Sequence, residues 1–148
     1  MGKIEAINIT NISEENTFYV NQAILEKGKG IVNDRYYENF KEKKEQVTLI
    51  NLEEINNFNN LIKQNIDAKN FRRNIIVSGI NLNELINKKI KINEVTLRIH
   101  EICQPCKYLQ NKLEIPGLVK MLVNKSGVRA EILTSGNLSV GDNIKIIK

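Results

Sequence analysis

Tryptophan is absent from the 148 residues, phenylalanine and tyrosine number four each, and there is a single histidine. Any core must therefore be built from Ile, Val and Leu, which excludes an interior organised on stacked aromatics. Two cysteines cannot frame a disulfide-stapled miniature fold. At this length none is needed, because a chain of ~150 residues buries roughly two thirds of its extended surface without staples, and one domain over residues 1–148 is expected. No stretch approaches the ~20 apolar residues that cross a membrane. Met1-Gly2-Lys3-Ile4-Glu5-Ala6-Ile7 lacks the basic segment and apolar run of an export signal. The expectation is a cytoplasmic protein without membrane association, whose two cysteines serve as thiols rather than as a structural disulfide. Blocks of like charge are missing too. The net charge of +5 is scattered, and its densest cluster, Lys41-Glu42-Lys43-Lys44-Glu45, is interrupted by acids, which argues against a nucleic-acid binder.

What is present is unevenly used. Lysine occurs 17 times and asparagine 22 times, but arginine only five times. Arg35, Arg72, Arg73 and Arg129 lie beside turn signals, and only Arg98 sits inside a strand-like alternation. A permanently charged planar fork suits phosphate and carboxylate, so scarce arginines at turns are candidate ligands.

Short strand patterns dominate the chain. Residues 3–9 read as a first strand and 11–16 as a polar break. Residues 17–26 read as a second strand, followed by a glycine-punctuated loop, 28–35, in which Asn33 tolerates positive φ and presents Asp34 and Arg35. Residues 36–46 read as exposed, and 47–50 as a strand. In 52–65, Ile55, Phe58, Leu61, Ile62 and Ile66 recur at helical spacing behind Asn51 and Glu54, the pattern of a helix start. The continuous apolar run Ile75-Ile76-Val77 predicts a strand buried on both faces, with a helical turn at 81–85. Residues 90–92 and 95–100 predict a hairpin about Asn93-Glu94. Residues 117–123 predict a short helix, 128–133 a strand, 136–141 a turn-rich link, and 143–147 the last strand. Many short strands with one good helix predict a mainly β fold: a β-barrel with one main helix and a few short helical segments.

The thiols come together in His100-Glu101-Ile102-Cys103-Gln104-Pro105-Cys106. One C-x-x-C is half of a tetrahedral zinc site, and no second half is present. A thioredoxin-like pair expects the motif to open a helix within a βαβ pattern, which is not legible here. A thiolate at a strand end can ligate a soft-loving metal, carry sulfane sulfur as a persulfide, or attack an electrophile, and nearby arginines favour all three. His100 reads as a packing or surface residue.

Taken in order, Gly30-Ile31-Val32-Asn33-Asp34-Arg35, Val47-Thr48-Leu49-Ile50, Phe71-Arg72-Arg73-Asn74-Ile75-Ile76-Val77-Ser78-Gly79-Ile80-Asn81-Leu82, Cys103-Gln104-Pro105-Cys106, Gly127-Val128-Arg129-Ala130 and Ser139-Val140-Gly141-Asp142 resemble the MOSC family. This is the domain found at the C-terminus of molybdenum cofactor sulfurases and in amidoxime-reducing molybdoenzymes, and the resemblance is to a stand-alone, minimal member. It implies a barrel that binds molybdenum cofactor (molybdopterin) or carries sulfur. Cys106 matches the cysteine that ligates molybdenum or carries sulfur, whereas Cys103 matches a less constant position. Arg72, Arg73 and Asn74 match the family's basic pair and following Asn. Asn33-Asp34-Arg35 matches its G-D-R turn, with Asn33 where Gly is usual. The first expectation is a cofactor-binding or sulfur-carrying protein supplied by a sulfur donor such as a cysteine desulfurase. In it Arg72 and Arg73 hold the pterin phosphate, and Arg35, Asp34 and Asn74 shape the site. The second is a small molybdenum reductase of N-hydroxylated compounds with an external redox partner. The third is a non-catalytic binding or regulatory module.

Overall fold

The computed structural model describes residues 2–12 and 16–147; residues 13–15 of the polar break lie outside the described residues. In chain order the strands are β1 (Gly2–Ile9), β2 (Phe18–Val20), β3 (Gln22–Glu26), β4 (Gly30–Ile31), β5 (Val47–Asn51), β6 (Ile75–Ser78), β7 (Lys89–Ile92), β8 (Val95–Ile102), β9 (Val128–Thr134), β10 (Gly136–Ser139) and β11 (Asn143–Ile147). The helices are α1 (Leu52–Ile62), α2 (Lys107–Leu113) and α3 (Leu118–Met121). Single 3-10 turns stand at Lys43–Glu45, Ala68–Phe71 and Leu82–Leu85.

Seven strands pair in the order β11-β7-β8-β9-β5-β6-β1, and β1 returns to β11, closing a barrel; β2 extends β1 outward. Closure removes free edges that would otherwise template aggregation. β5 and β6 pair in parallel, Leu49 opposite Ile75. Parallel neighbours need a crossover, and α1 supplies it. A three-stranded sheet, β10-β3-β4, is separate from the barrel.

Alternation explains the two layers of the interior. Val95, Leu97 and Ile99 of β8 are fully buried, whereas Thr96, Arg98 and His100 are half-buried. In β5 and β6 both faces are covered. Leu49, Ile75 and Val77 join the inner core, while Ile50 and Ile76 point outward into a second cluster with Ile55, Phe58, Phe71, Leu109, Ile115, Leu118 and Leu122. The continuous run Ile75-Ile76-Val77 is the sequence trace of that double burial. Phe58 and Phe71 meet edge to face, 5.8 Å between centroids at 87°.

Four sequence expectations are corrected. Residues 17–26 form two strands broken at Asn21, β2 on the barrel and β3 in the small sheet. The expected link at 136–141 contains β10, paired to β3. Helix α1 stops at Ile62, because Lys63 turns left-handed (φ 55°) and its N–H closes on the Asn59 carbonyl. Asn51 does not cap that helix with its side chain. Its amide donates to the Ile80 carbonyl (2.6 Å) and accepts from the Leu82 N–H (3.2 Å), tying down the loop after β6. No helix among the described residues is long and apolar enough to cross a membrane.

Candidate functional site

Three segments distant in sequence converge beside the second cluster. The loop after β4 turns at Asn33, whose φ of 71° places it in the left-handed region as expected for an Asn. That turn buries Asp34, which accepts from the Thr10 N–H (3.1 Å) and the Tyr36 N–H (3.4 Å) and pairs with Arg35 (3.3 Å). Its charge is thereby matched, as a buried carboxylate requires. Arg35 then donates to the Arg72 carbonyl at 2.9 Å and stacks on Tyr36, 4.4 Å from the ring centre.

Arg72 ends the Ala68–Phe71 turn with a left-handed backbone (φ 62°), although it is neither Gly nor Asn. Conformations of this kind cost of order 1–3 kcal/mol and persist where the surroundings hold them. Here the carbonyls of Arg72 and Arg73 are gripped by Arg35 and by the Asn8 amide (3.1 Å). The Arg72 guanidinium lies over Tyr108 of α2, 5.5 Å from its centre. Burial first, and then the neighbouring Arg35 charge, pull the Arg72 guanidinium below its ordinary value, against Tyr108, Tyr36 and Asp34. It stays cationic at neutral pH, since an arginine titrates far above it. A cation partly stripped of water beside another cation is a strong anion attractor.

Arg73 lines the same pocket, with its Nε and Nη2 donors turned to the chain. Its Nε donates to the Ser126 carbonyl (2.7 Å), and Nη2 reaches the carbonyls of Cys103 (3.3 Å) and Gln104 (3.4 Å). Asn74 is fully buried beneath the site. Its Oδ1 accepts from the N–H (3.1 Å) and hydroxyl (3.2 Å) of Thr48, and its Nδ2 donates to the Asn8 carbonyl (3.2 Å), bolting the start of β6 to β5 and β1. Asp34 and Asn74 therefore support the site from below, whereas Arg35, Arg72, Arg73 and Cys106 line it.

The pocket encloses about 270 Å³ and is completed by Tyr36, Phe71, Tyr108 and Leu109. Cys106 is exposed, whereas Cys103 is 4% exposed. The cysteine motif does open a helix, a feature the sequence reading did not find, since Cys106 is the residue before α2. Leu109 and Leu113, four residues apart behind Pro105, were the available signal. The two tyrosines are pocket residues that sequence reasoning missed: Tyr36 stacks on the adjacent Arg35, but nothing local in the chain marks Tyr108 as a ring that will meet the distant Arg72.

Other candidates lie elsewhere. His100 bonds Glu131 (2.9 Å) on the strand face. Arg129 sits 3.7 Å from Glu45 and 3.8 Å from Glu101, and Lys44 also holds Glu101 at 2.7 Å. Burial works against the charged form of Arg129, but Cys103 foremost, then Glu45, Tyr36 and Glu101, more than offset it and leave the guanidinium above its ordinary value. Among the described residues no cluster of three or more His, Cys, Asp or Glu is built to hold a metal. A metal held at the pocket would thus take one protein thiolate and bring its remaining ligands with it. The donors fit a molybdopterin-type group on those terms: a soft sulfur for molybdenum, guanidinium forks for phosphate, and ring faces for a pterin.

The architecture has close counterparts. YuaD from Bacillus subtilis superposes with a TM-score of 0.83 at 19% identity, covering 99% of this chain and 96% of that one. YiiM from Geobacillus stearothermophilus gives 0.81 at 16%, covering 100% and 76%, and YiiM from Escherichia coli gives 0.74 at 11%, covering 99% and 70%. At such identities these likenesses concern the fold. A comparison with curated proteins gives no match. The model of the MOSC domain matches residues 36–145, which takes in β5 to β10, the first part of β11, both cysteines and the Arg72–Asn74 segment, and the chain belongs to the MOSC domain family.

Proposed function

We propose that the pocket at Cys106 binds a molybdopterin-type cofactor or carries sulfur for its metabolism, with Cys106 as molybdenum ligand or persulfide-bearing thiol. The family is generally associated with molybdenum cofactor. The observation that carries the reading is the exposed Cys106 thiol in the same small pocket as Arg35, Arg72 and Arg73, between Tyr36 and Tyr108. A bound cofactor would supply the metal centre and its redox chemistry. The chain's own contribution is binding and orientation. Arg72, lying on Tyr108, attracts a phosphate; Arg35, lying on Tyr36, holds the Arg72 backbone in place; and Cys106 presents its sulfur to the same pocket. As a sulfur carrier it would receive sulfur from a donor such as a cysteine desulfurase. Native mass spectrometry of protein produced with molybdate, together with persulfide trapping, tests the reading. The expected result is a pterin-sized adduct or a Cys106 heavier by one sulfur atom, lost in Cys106→Ala. Protein with neither, and with the same mass profile in Cys106→Ala, would overturn it.

A further inference from the structure

Two thiols three residues apart normally invite a disulfide, and a disulfide here would be damaging. If Cys106 carries a persulfide, attack by the Cys103 thiolate on the Cys106 sulfur breaks the bond to the outer sulfur. That sulfur leaves as hydrosulfide and takes a proton, and a Cys103–Cys106 disulfide remains. The step balances without any oxidant, so nothing but geometry prevents it.

The backbone geometry opposes it. From Cys103 to Cys106 the backbone takes no turn or bend, and Cys106 is itself extended (φ −124°, ψ 163°). Pro105 enforces this, because a residue before proline is driven from helical into extended conformations, here Gln104. Three extended residues span about 10 Å. Cysteines whose Cα atoms lie more than ~7 Å apart cannot be bridged without backbone movement.

The loop is also fastened along its length. Cys103 N–H continues the ladder to the Gly127 carbonyl (2.8 Å), and Ser126 Oγ donates to the Cys103 carbonyl (2.5 Å). Gln104 exchanges two bonds with Asn124, donating to its side-chain oxygen (2.6 Å) and accepting from its N–H (2.8 Å). Arg73 gathers the Cys103, Gln104 and Ser126 carbonyls on one guanidinium. A planar fork spreads its donors over separate nitrogens in fixed directions, whereas a lysine offers its three from a single point.

We propose that Arg73 is a positioning residue: it staples the Cys103–Cys106 loop straight, so that buried Cys103 cannot reach Cys106 and discharge sulfur held there. The sulfur half of this statement rests on the proposed function; the separation of the thiols does not.

The test uses the full chain and the thiol oxidant diamide, which takes up two hydrogens as a disulfide forms. Intact mass reads the loss of those hydrogens. The native protein is expected to cross-link at least tenfold more slowly than Arg73→Ala and Pro105→Gly, with Arg73→Lys between them. After loading with polysulfide, Arg73→Ala should release hydrogen sulfide faster than the native protein, and the added change Cys103→Ser should restore retention, a rescue that general loosening of the fold would not produce. Should Arg73→Ala fail to fold, Pro105→Gly and the exposed Gln104→Ala carry the comparison. Cross-linking of the native protein as fast as of these variants would overturn the proposal. Slow native and fast variant cross-linking in a protein that accepts no sulfur would sustain the staple and reject the sulfur-carrying reading instead.

Discussion

The inner barrel core and the outer cluster are supplied by alternate residues of the same two strands, yet they differ in what they hold. Leu49, Ile75 and Val77 look inward to a cluster of aliphatic side chains. Ile50 and Ile76, one residue away, look outward to Phe58, Phe71 and Leu109, where the turn that ends in Arg72 and the helix that follows Cys106 are seated. The difference teaches that β5 and β6 are the hinge between fold and site. Damage to the inner face should cost stability alone, and damage to the outer face should cost stability and site geometry together.

The contrast is abolished most completely at Gly127, where the two regions share backbone. An added Cβ there would stand 2.1 Å from the Leu49 carbonyl oxygen, at a φ of 102° that side chains rarely adopt, while the Gly127 carbonyl receives Cys103. Gly127→Ala is expected to lose about 4 kcal/mol or to prevent folding, as a urea titration would reveal. The contrast is sharpened by Leu49→Ala against Phe71→Ala, each expected to lose about 3 kcal/mol by opening a cavity. Alkylation of Cys106 in the fraction that remains folded should run at the native rate in Leu49→Ala and change at least threefold in Phe71→Ala, since Phe71 lines the pocket. Equal rates in both would erase the division of labour.

A smaller effect lies at the margin of the outer cluster. Tyr19 donates to Asp67 and accepts from the Lys69 N–H (3.1 Å), fastening β2 to the turn that leads to Arg72. Burial, followed by the bond to Asp67, raises the Tyr19 hydroxyl to about 12 from an ordinary 10.0. Because the folded value is the higher, its contribution is whole below pH ~10 and is lost as pH climbs toward ~12. The ring is partly exposed, so Tyr19→Phe should lower stability by under ~1 kcal/mol and flatten the decline between those pH values. A native stability profile no steeper there than that of Tyr19→Phe would deny the bond any role.

Much of the barrel was legible because alternation is a local property: Val95, Leu97 and Ile99 announce their face without help from other strands. Helix α1 was legible for the same reason. The break at Asn21 was not, since Phe18, Val20, Ala23 and Leu25 keep a passable strand pattern across a change of sheet. β10 was hidden by Gly136, Asn137 and Ser139, residues typical of turns that here pair with β3 across more than a hundred positions. In the site, the thiols and scarce arginines marked themselves by type. What each arginine does could not be read, because the partners of Arg73 lie 30 to 53 residues away, and only folding reveals that its donors meet backbone.

The barrel seam has a kinetic meaning. Among the described residues β1 meets β11 through two residue pairs, Gly2 with Ile144 and Lys3 with Asn143, reinforced by the reciprocal bonds of Ile4 with Asp142 (2.9 Å) and Gly141 (2.8 Å). Joining segments so far apart in sequence demands a large loop-closure entropy before any reward, which slows folding. On the ribosome, β1 would emerge long before the strand that closes the ring. Until then β6 and β2 are its partners, and a curled, open sheet is the species the cell's chaperones would meet.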